Sequence, residues 1–525
     1  MKESVGQESP WGVYTLLIVI ALSVVSGRIA VVISREGDTA FLSANDRSRW
    51  CTIAALVEHG TYVIDPYLNR RGAKANRRPW ATIDLVRHRG RDGKMHYYSS
   101  KPPLLPTMIA GVYWGVTRTM GMWLSDQPIY LGRVILWLVN VPTLAVFLLA
   151  TIAALDRVME DRWAKWFLAA ATCFGTMLLP FSIALNNHLP AAASMAMVLW
   201  IFVRSFEQPT TTLWWFLAGL AGGFTAANEL PALSMTVFWA GLFLLVRRDA
   251  LIGYSAGVLV VAVAFFATNW IAHESLRPPY MHRGDGQRIA TLAPAEDGEP
   301  PTAPQVLKPL IDANLAQPDS QVSLQPSRRQ DRLRVVIGDS LQVGLSRVAE
   351  GQWELHHWDD WYDYPSSYWV EGRRRGVDVG EPSRFVYAAQ MTFGHHGIFS
   401  LTPLWLLMPV GLVGAWTWNR REHRLLLASI AAATIVCGVF YVLRPEIDRN
   451  YGGVSVCFRW LLWFAPLWLF SAAGPAQWLA ARRWGRMLAV GMLALSVASM
   501  ATSLDGPWQS PWLYRFWSFL GWIEP

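Results

Sequence analysis

Charge is scarce in this chain of 525 residues: 16% of it is Asp, Glu, Lys or Arg, where soluble chains average about 25%. So few ions cannot solvate a surface that must also hide 53% hydrophobic residues and 29 tryptophans, which excludes an ordinary soluble enzyme. Cysteine is scarce too. Cys51, Cys173, Cys437 and Cys457 form no close pair and no metal-ligand spacing, which argues against a disulfide framework and a zinc site; no cofactor is expected, and dependence on a divalent metal is left open by the sequence. A cleavable signal pattern is missing, because the first apolar run, residues 11–33, is long enough to stay as a spanning helix. No internal repeat stands out.

What the chain has instead is apolar windows of membrane-crossing length. Breaks between them define about eleven spans: 12–34, 129–153, 164–184, 189–205, 212–227, 230–246, 251–271, 396–417, 425–443, 460–479 and 486–503. The expected fold is therefore an all-α polytopic membrane protein with extracytoplasmic juxtamembrane helices and a larger outer segment. A cytoplasmic N-terminus places Arg157, Arg162 and Lys165, then Arg247 and Arg248, then Arg420, Arg421 and Arg424, then Arg482, Arg483 and Arg486 on the cytoplasmic side. Every strongly basic short connection then obeys the positive-inside rule. The span 212–227 is short, but deleting it would reverse everything downstream and destroy that agreement.

This topology leaves two long segments outside, 35–128 and 272–395, and divides the chain into a module at 1–271 that contains the first outer loop, an outer segment at 272–395, and a C-terminal module at 396–525. Residues 35–101 hold thirteen Lys/Arg against seven Asp/Glu, a net +6. Loops longer than about 60 residues escape the orientation rule, so this charge suits either simple solvation or anionic partners, lipid head groups or a phosphorylated lipid; nucleic acid is not expected. Residues 293–328, rich in Pro, Gln and Ser, are expected to lack stable structure. Beyond them His356, His357, Trp358, Asp359, Asp360, Trp361, Tyr362, Tyr364, Tyr368 and Trp369 form an aromatic and acidic cluster that suits an interfacial belt or a sugar.

The first outer loop holds the densest chemistry. Polar residues from Ser43 and a closing Gly60 bracket a helix signature, and Trp50, Ile53, Ala54 and Val57 fall on one stripe, as in an amphipathic helix on a membrane surface. That spacing sets Asp46 and Arg49 at the stripe's edge. Asp46 either complements the helix dipole or presents a working carboxylate; Arg49 either snorkels or meets a phosphate. Downstream, His96-Tyr97-Tyr98-Ser99-Ser100-Lys101-Pro102-Pro103-Leu104 runs into an apolar helix, with Lys101 fixed by the Pro pair.

These two stretches, Asp46-Arg47-Ser48-Arg49-Trp50-Cys51-Thr52-Ile53-Ala54 and Tyr98-Ser99-Ser100-Lys101-Pro102-Pro103-Leu104, resemble the GT-C superfamily of glycosyltransferases, represented by protein O-mannosyltransferases and lipid A aminoarabinose transferases. The family carries Asp-Glu-x-Arg-Tyr-x-x-Ile-Ala and Tyr-x-x-Lys-Pro-Pro-Leu in that order after its first span. The motif match covers residues 12–110, and the helix layout extends it to 271. Arg47 stands where the family has its second acid, which puts any role of that acid in doubt.

The resemblance implies an integral inner or plasma membrane enzyme, active at the extracytoplasmic face, that moves a hexosyl or pentosyl group from a polyprenyl-phosphate donor to an acceptor hydroxyl of a protein, lipid or glycan, with inversion. A phosphate leaving group needs no general acid, so one carboxylate suffices: Asp46 as base, with Asp38 in reserve. Lys101, Arg49 and Arg459 would bind the donor phosphate, with Tyr98 as a hydrogen-bond donor. Asn186, Asn187 and His188 lie on the same outer face and suit sugar hydroxyls or a plain polar turn. Glu229 is a donor ligand or an interfacial acid. The loop 444–459 reads as a flexible outer loop delivering cations, and the His395-His396 pair is too small for a metal site alone. The rival reading is a transporter of a lipid or small solute, which would need ionisable groups deep in its spans; no span centre here holds a carboxylate.

Overall fold

The structure is a computed structural model that describes residues 10–72, 77–292, 300–327, 329, 331–338, 341–349, 352–370 and 372–523. Two compact units are interleaved along the chain: Met1–Asp46, Gly111–Phe265 and Gly376–Pro525 form the first, Arg47–Ala110 and Phe266–Arg375 the second.

Every apolar window of the first unit carries helix. Six described helices are long and apolar enough to cross a membrane: Trp11–Val31, Pro128–Val158, Arg162–Phe181, Ala250–His273, Arg421–Val442 and Arg483–Ala501. Other windows are shorter. Thr212–Asn228 has 17 residues, about 26 Å at 1.5 Å per residue, and backs onto Ala250–His273 through Gly219 and Gly257, where any Cβ would collide with the facing backbone; small residues permit that approach. The windows 396–417 and 460–479 are broken into short turns of helix: Ile398–Leu401, Pro403–Leu406 and Leu407–Val413 in one, Arg459–Phe464, Ala465–Ser471 and Ala473–Ala480 in the other. Pro403, Pro466 and Pro475 cannot continue a hydrogen-bonded ladder, and Gly411 lets its backbone touch Ser471. Hydropathy registers the apolar run but not its interruption.

The second unit corrects the all-α expectation. Strands β1 (Leu85–Arg89) and β2 (Met95–Ser99) form an antiparallel hairpin. Strands β3 (Arg283–Leu292), β4 (Val322–Pro326), β5 (Arg332–Ile337), β6 (Leu341–Ala349) and β7 (Gln352–Asp360) form an antiparallel sheet in the order β3-β7-β6-β5-β4. Side chains alternate faces along a strand. Val335 and Ile337 of β5 join Val343, Leu345, Trp353 and Leu355 under Val306 and Leu310 of the Ala303–Asp312 helix. On β5, Arg332 and Arg334 pair with Asp360 and Asp363 at 2.9 and 3.0 Å and lie over the Trp358 ring. Part of the stretch expected to lack structure is thus ordered: a Thr302–Gln305 capping box starts the helix, and β4 completes the sheet edge. Residues 293–299 and 328 lie outside the described residues. The aromatic and acidic cluster belongs to β7 and the turn after it.

The helix read as lying on a membrane surface exists, as Ala44–His59, but Trp50, Ile53 and Ala54 are fully enclosed by protein and so are Cys51 and Ala55 beside them. Residues 48–55 are buried without a break. The stripe is core, not a lipid-facing surface.

Candidate functional site

Asp46 is built into the start of its helix. Its carboxylate accepts from the backbone N–H of Leu42 (2.8 Å) and Ser43 (2.7 Å) and from the Ser43 hydroxyl (3.2 Å), while Ser43 Oγ accepts from Asp46 N–H (3.2 Å). This reciprocal pair is a capping box, so Asp46 starts the helix and its carboxylate is held by that cap. Asp46 is completely buried, and three donors hold the carboxylate in one orientation. Asp38 Oδ2, by contrast, is a buried oxygen with no hydrogen-bond partner among the described residues.

The first unit also draws together His188, Asn187, Glu229 and Arg459, which are far apart in sequence. Asn186 Oδ1 accepts from the N–H groups of His188 and Leu189 (2.9 and 3.1 Å), and its amide donates to Phe181 and Ala184 carbonyls. Asn186 is therefore a helix cap, the plain-turn alternative. It starts the His188–Arg204 helix and aims His188 inward. Glu229 caps the C-terminal end of Thr212–Asn228, and Asn187 Nδ2 bridges Glu229 Oε1 (2.6 Å) and the Asn228 carbonyl (2.9 Å). Glu229 Oε1 contacts His188 Nδ1, and His188 Nε2 lies 2.7 Å from Arg459 Nη1. A guanidinium can only donate, so Nε2 accepts and the imidazole proton sits on Nδ1, facing the carboxylate. His188, Glu229 and Arg459 are all buried.

Arg459 is placed by the turn before it. Gly452 has φ +97°, open to glycine, and its carbonyl accepts from Arg459 Nε at 2.6 Å; a Cβ there would press on the same nitrogen. Asn450 Oδ1 accepts from Gly452 and Gly453 N–H, and the guanidinium lies 4.9 Å from the Trp508 ring. With Arg449, Asn450 and Tyr451 buried, the loop expected to be flexible is a packed turn. Packed against this turn, His395 and His396 meet through their Nδ1 atoms at 2.5 Å, and His396 stacks on Tyr451. Among the described residues no group of three or more His, Cys, Asp or Glu is placed to hold a metal.

In the second unit the motif around Lys101 is rigid. Lys101 Nζ pairs with Asp84 Oδ2 at 3.1 Å. The Asp84 carbonyl accepts from Ser48 Oγ (2.7 Å) and Ser100 N–H (3.1 Å), Ser48 Oγ in turn accepts from the Ser99 hydroxyl (2.5 Å), and Ser99 Oγ accepts from Lys101 N–H. The Pro pair then starts the Leu104–Met120 helix. Of the side chain, 21% remains exposed. Arg49 is buried in the same unit. Sequence reasoning missed Asp84, whose signal is the hairpin itself: Asp92-Gly93 between two alternating runs is a turn signature, with Gly93 at φ +78°.

Tyr98 faces elsewhere. Its hydroxyl sits against Gly90 at the hairpin turn, whereas Asp84 and Lys101 lie at the strand's other end, so Tyr98 and Lys101 are not brought together. The Tyr98 ring stacks on His88 at 4.1 Å, His88 packs tilted against Trp361 at 4.1 Å, and Trp361 stacks on His282 at 3.5 Å. Burial raises the Tyr98 phenol to about 12, helped by Asp65 and Asp92. Burial also pushes His88 down to about 4. His88 Nδ1–H donates to the Arg89 carbonyl (2.9 Å), so its Nε2 accepts from His273 Nδ1 (3.0 Å). Across the hairpin, His96 goes the other way: burial opposes its charge, but Asp92 and Asp65, at 2.9 and 2.6 Å, outweigh that and raise it.

Neither a family model nor a curated protein matches the sequence. Among solved structures the chain is similar to the apo oligosaccharyltransferase of Archaeoglobus fulgidus, with TM-score 0.44 and 12% identity over 97% of this chain and 57% of that one. The same archaeal enzyme, AglB, in complex with an inhibitory peptide and a dolichol-phosphate gives TM-score 0.42 and 14% identity over 97% and 57%. The Saccharomyces cerevisiae protein O-mannosyltransferase Pmt1-Pmt2 complex bound to the sugar donor gives 0.42 and 10% over 97% of this chain and 92% of that one. The chain spans little more than half the length of the archaeal enzyme. At these scores the likeness is coarse, and the chain's own residues bear the functional reading.

Proposed function

We propose that this membrane protein is a glycosyltransferase that moves a sugar from a polyprenyl-phosphate donor to an acceptor hydroxyl at the extracytoplasmic face, with inversion. The observation that carries the reading is the Lys101 element: a partly exposed ammonium paired with Asp84 and followed in sequence by two prolines and the Leu104–Met120 helix. A compact charge on a rigid mount suits a phosphate that must be met in one position.

In the reaction the acceptor oxygen attacks the anomeric carbon from the side opposite the phosphate, the sugar–phosphate bond breaks, and its electron pair leaves with the polyprenyl phosphate. Asp46 takes the acceptor proton; the three donors on its carboxylate fix where that base stands. Lys101 and Arg49, in the second unit, counter the charge that grows on the phosphate; Arg459, in the first, is proposed as a phosphate ligand in its own right. His188, Asn187 and Glu229 hold Arg459 and contact the sugar, while Tyr98 keeps the hairpin under Lys101 rigid. Absence of carboxylates from the middle of the six long helices favours this reading over a transporter.

The test is incubation of the purified full-length protein, in lipid, with labelled polyprenyl-phosphate sugars and membrane extract as acceptor source. Wild type should consume one donor and release polyprenyl phosphate, and Lys101→Gln should lower that rate about 100-fold or more. Equal rates for both proteins would reject the role of Lys101.

A further inference from the structure

Two cavities of the first unit lie side by side at the end of the helices remote from His188 and Arg459. One, of about 570 Å3, is apolar and is lined by Leu407, Val410, Gly414, Trp478, Leu488 and Met492 among others; its volume falls within the roughly 300–1,000 Å3 typical of ligand sites. The other, of about 400 Å3, is polar and is lined by Arg157, Glu160, Asn419, Arg420, His423 and Gln477 among others. Trp418 and Gly474 line both, and a Cβ on Gly474 would sit 3.3 Å from Trp418 Nε1. The two cavities therefore share a wall. The Arg421–Val442 helix, 22 residues and hence about 33 Å long, runs from the polar cavity toward the turn that carries Arg459. That length is a membrane core's thickness, so the pair of cavities stands at the opposite face from the proposed reaction.

Charge within the polar cavity is unevenly committed. Arg157 is tied to Glu207, and Glu160 N–H donates to Gln477 Oε1. Arg420 is 3.9 Å from Glu422, and half of its side chain is exposed. The connections around the cavity also carry Arg421, Arg424, Arg482, Arg483 and Arg486. An apolar groove opening through a tryptophan into a basic polar cavity, at the face with the positive-inside connections, has the division of a phospholipid: chain in one part, phosphate in the other.

We propose that this pair of cavities is a binding site for one anionic glycerophospholipid of the leaflet opposite the catalytic face, with an acyl chain along Val410 and Gly414 and the phosphate at Arg420. Gly414 provides a probe, because a Cβ there meets nothing within 4 Å among the described residues, its backbone is ordinary and it lines the groove, so Gly414→Leu adds its side chain at the groove wall. The experiment is native mass spectrometry of the full-length detergent-purified protein titrated with dioleoyl phosphatidylglycerol or dioleoyl phosphatidylcholine. Wild type should retain phosphatidylglycerol preferentially. Arg420→Gln should weaken that retention about fivefold, the attraction of one cation near the surface, and Gly414→Leu about tenfold, with both unfolding midpoints unchanged. Equal retention of the two lipids by wild type, unaltered retention in Gly414→Leu, or displacement of phosphatidylglycerol by equimolar polyprenyl phosphate would overturn the proposal.

Discussion

The two histidine-centred clusters handle buried polarity in opposite ways. Around His188 the protein sets charge against charge, with Glu229 on one imidazole nitrogen and Arg459 on the other. Around His88 it excludes charge: the imidazole is kept neutral between Tyr98 and Trp361, and its nitrogens are satisfied by a carbonyl and a second histidine. A charge-compensated trio depends on every member, because removing one strands its partners. A neutral stack tolerates loss of a partner better but is exposed to pH. The first arrangement fixes a buried cation, Arg459, in the first unit, whereas the second packs the hairpin that precedes Lys101 in the second unit.

This contrast can be broken at four points, in decreasing order of effect. Glu229→Leu strands Arg459 and should cost about 3–5 kcal/mol in denaturant unfolding, more than any single change in the His88 stack. Second, acid should loosen the hairpin through His88. Its pKa is about 4 when folded against an ordinary 6.5, so the unfolded chain takes up the proton first. Stability is then full above about 6.5 and falls as pH drops toward 4, by about 3 kcal/mol at most. His96, raised in the same hairpin, contributes stability below 6.5 that is lost as pH rises through its folded value. Unfolding midpoints of His88→Asn across this window should therefore lose the acid-side decline; an unchanged decline would place its origin elsewhere. Third, Gly452→Ala forces a side chain into a left-handed backbone against Arg459 and should cost about 1–3 kcal/mol, read by the same unfolding assay. Smallest is the stability effect of Lys101→Gln, about 1 kcal/mol, since that pair is partly exposed; its large effect should be on transfer alone.

How much of this was legible beforehand depended on whether the cause lay in sequence periodicity or in partners far along the chain. Apolar windows located the helices, because a spanning segment announces itself in one run. They did not show that 396–417 and 460–479 break at Pro403, Pro466 and Pro475, since hydropathy averages over such points. The Trp50 stripe was read correctly as one face of a helix and wrongly as a lipid-facing one, because periodicity reports which side is apolar and not what covers it. The hairpin and the five-stranded sheet escaped notice: β1 and β5 each carry two arginines, and Arg332 and Arg334 look solvated until Asp360 and Asp363 are brought beside them. His188, Asn187, Glu229 and Arg459 were each singled out, but only the fold joins residues up to 271 positions apart. Tyr98 and Lys101, three apart in a strand end, looked like partners and face different ends of the hairpin.

The central claim is tested most directly by Asp46→Asn, which keeps the shape of the helix-starting acid and removes its basicity. With labelled polyprenyl-phosphate sugar and a membrane extract, the wild-type protein should transfer label and release polyprenyl phosphate, and the variant should do so at least about 100-fold more slowly. Full transfer by the folded Asp46→Asn protein would contradict the account.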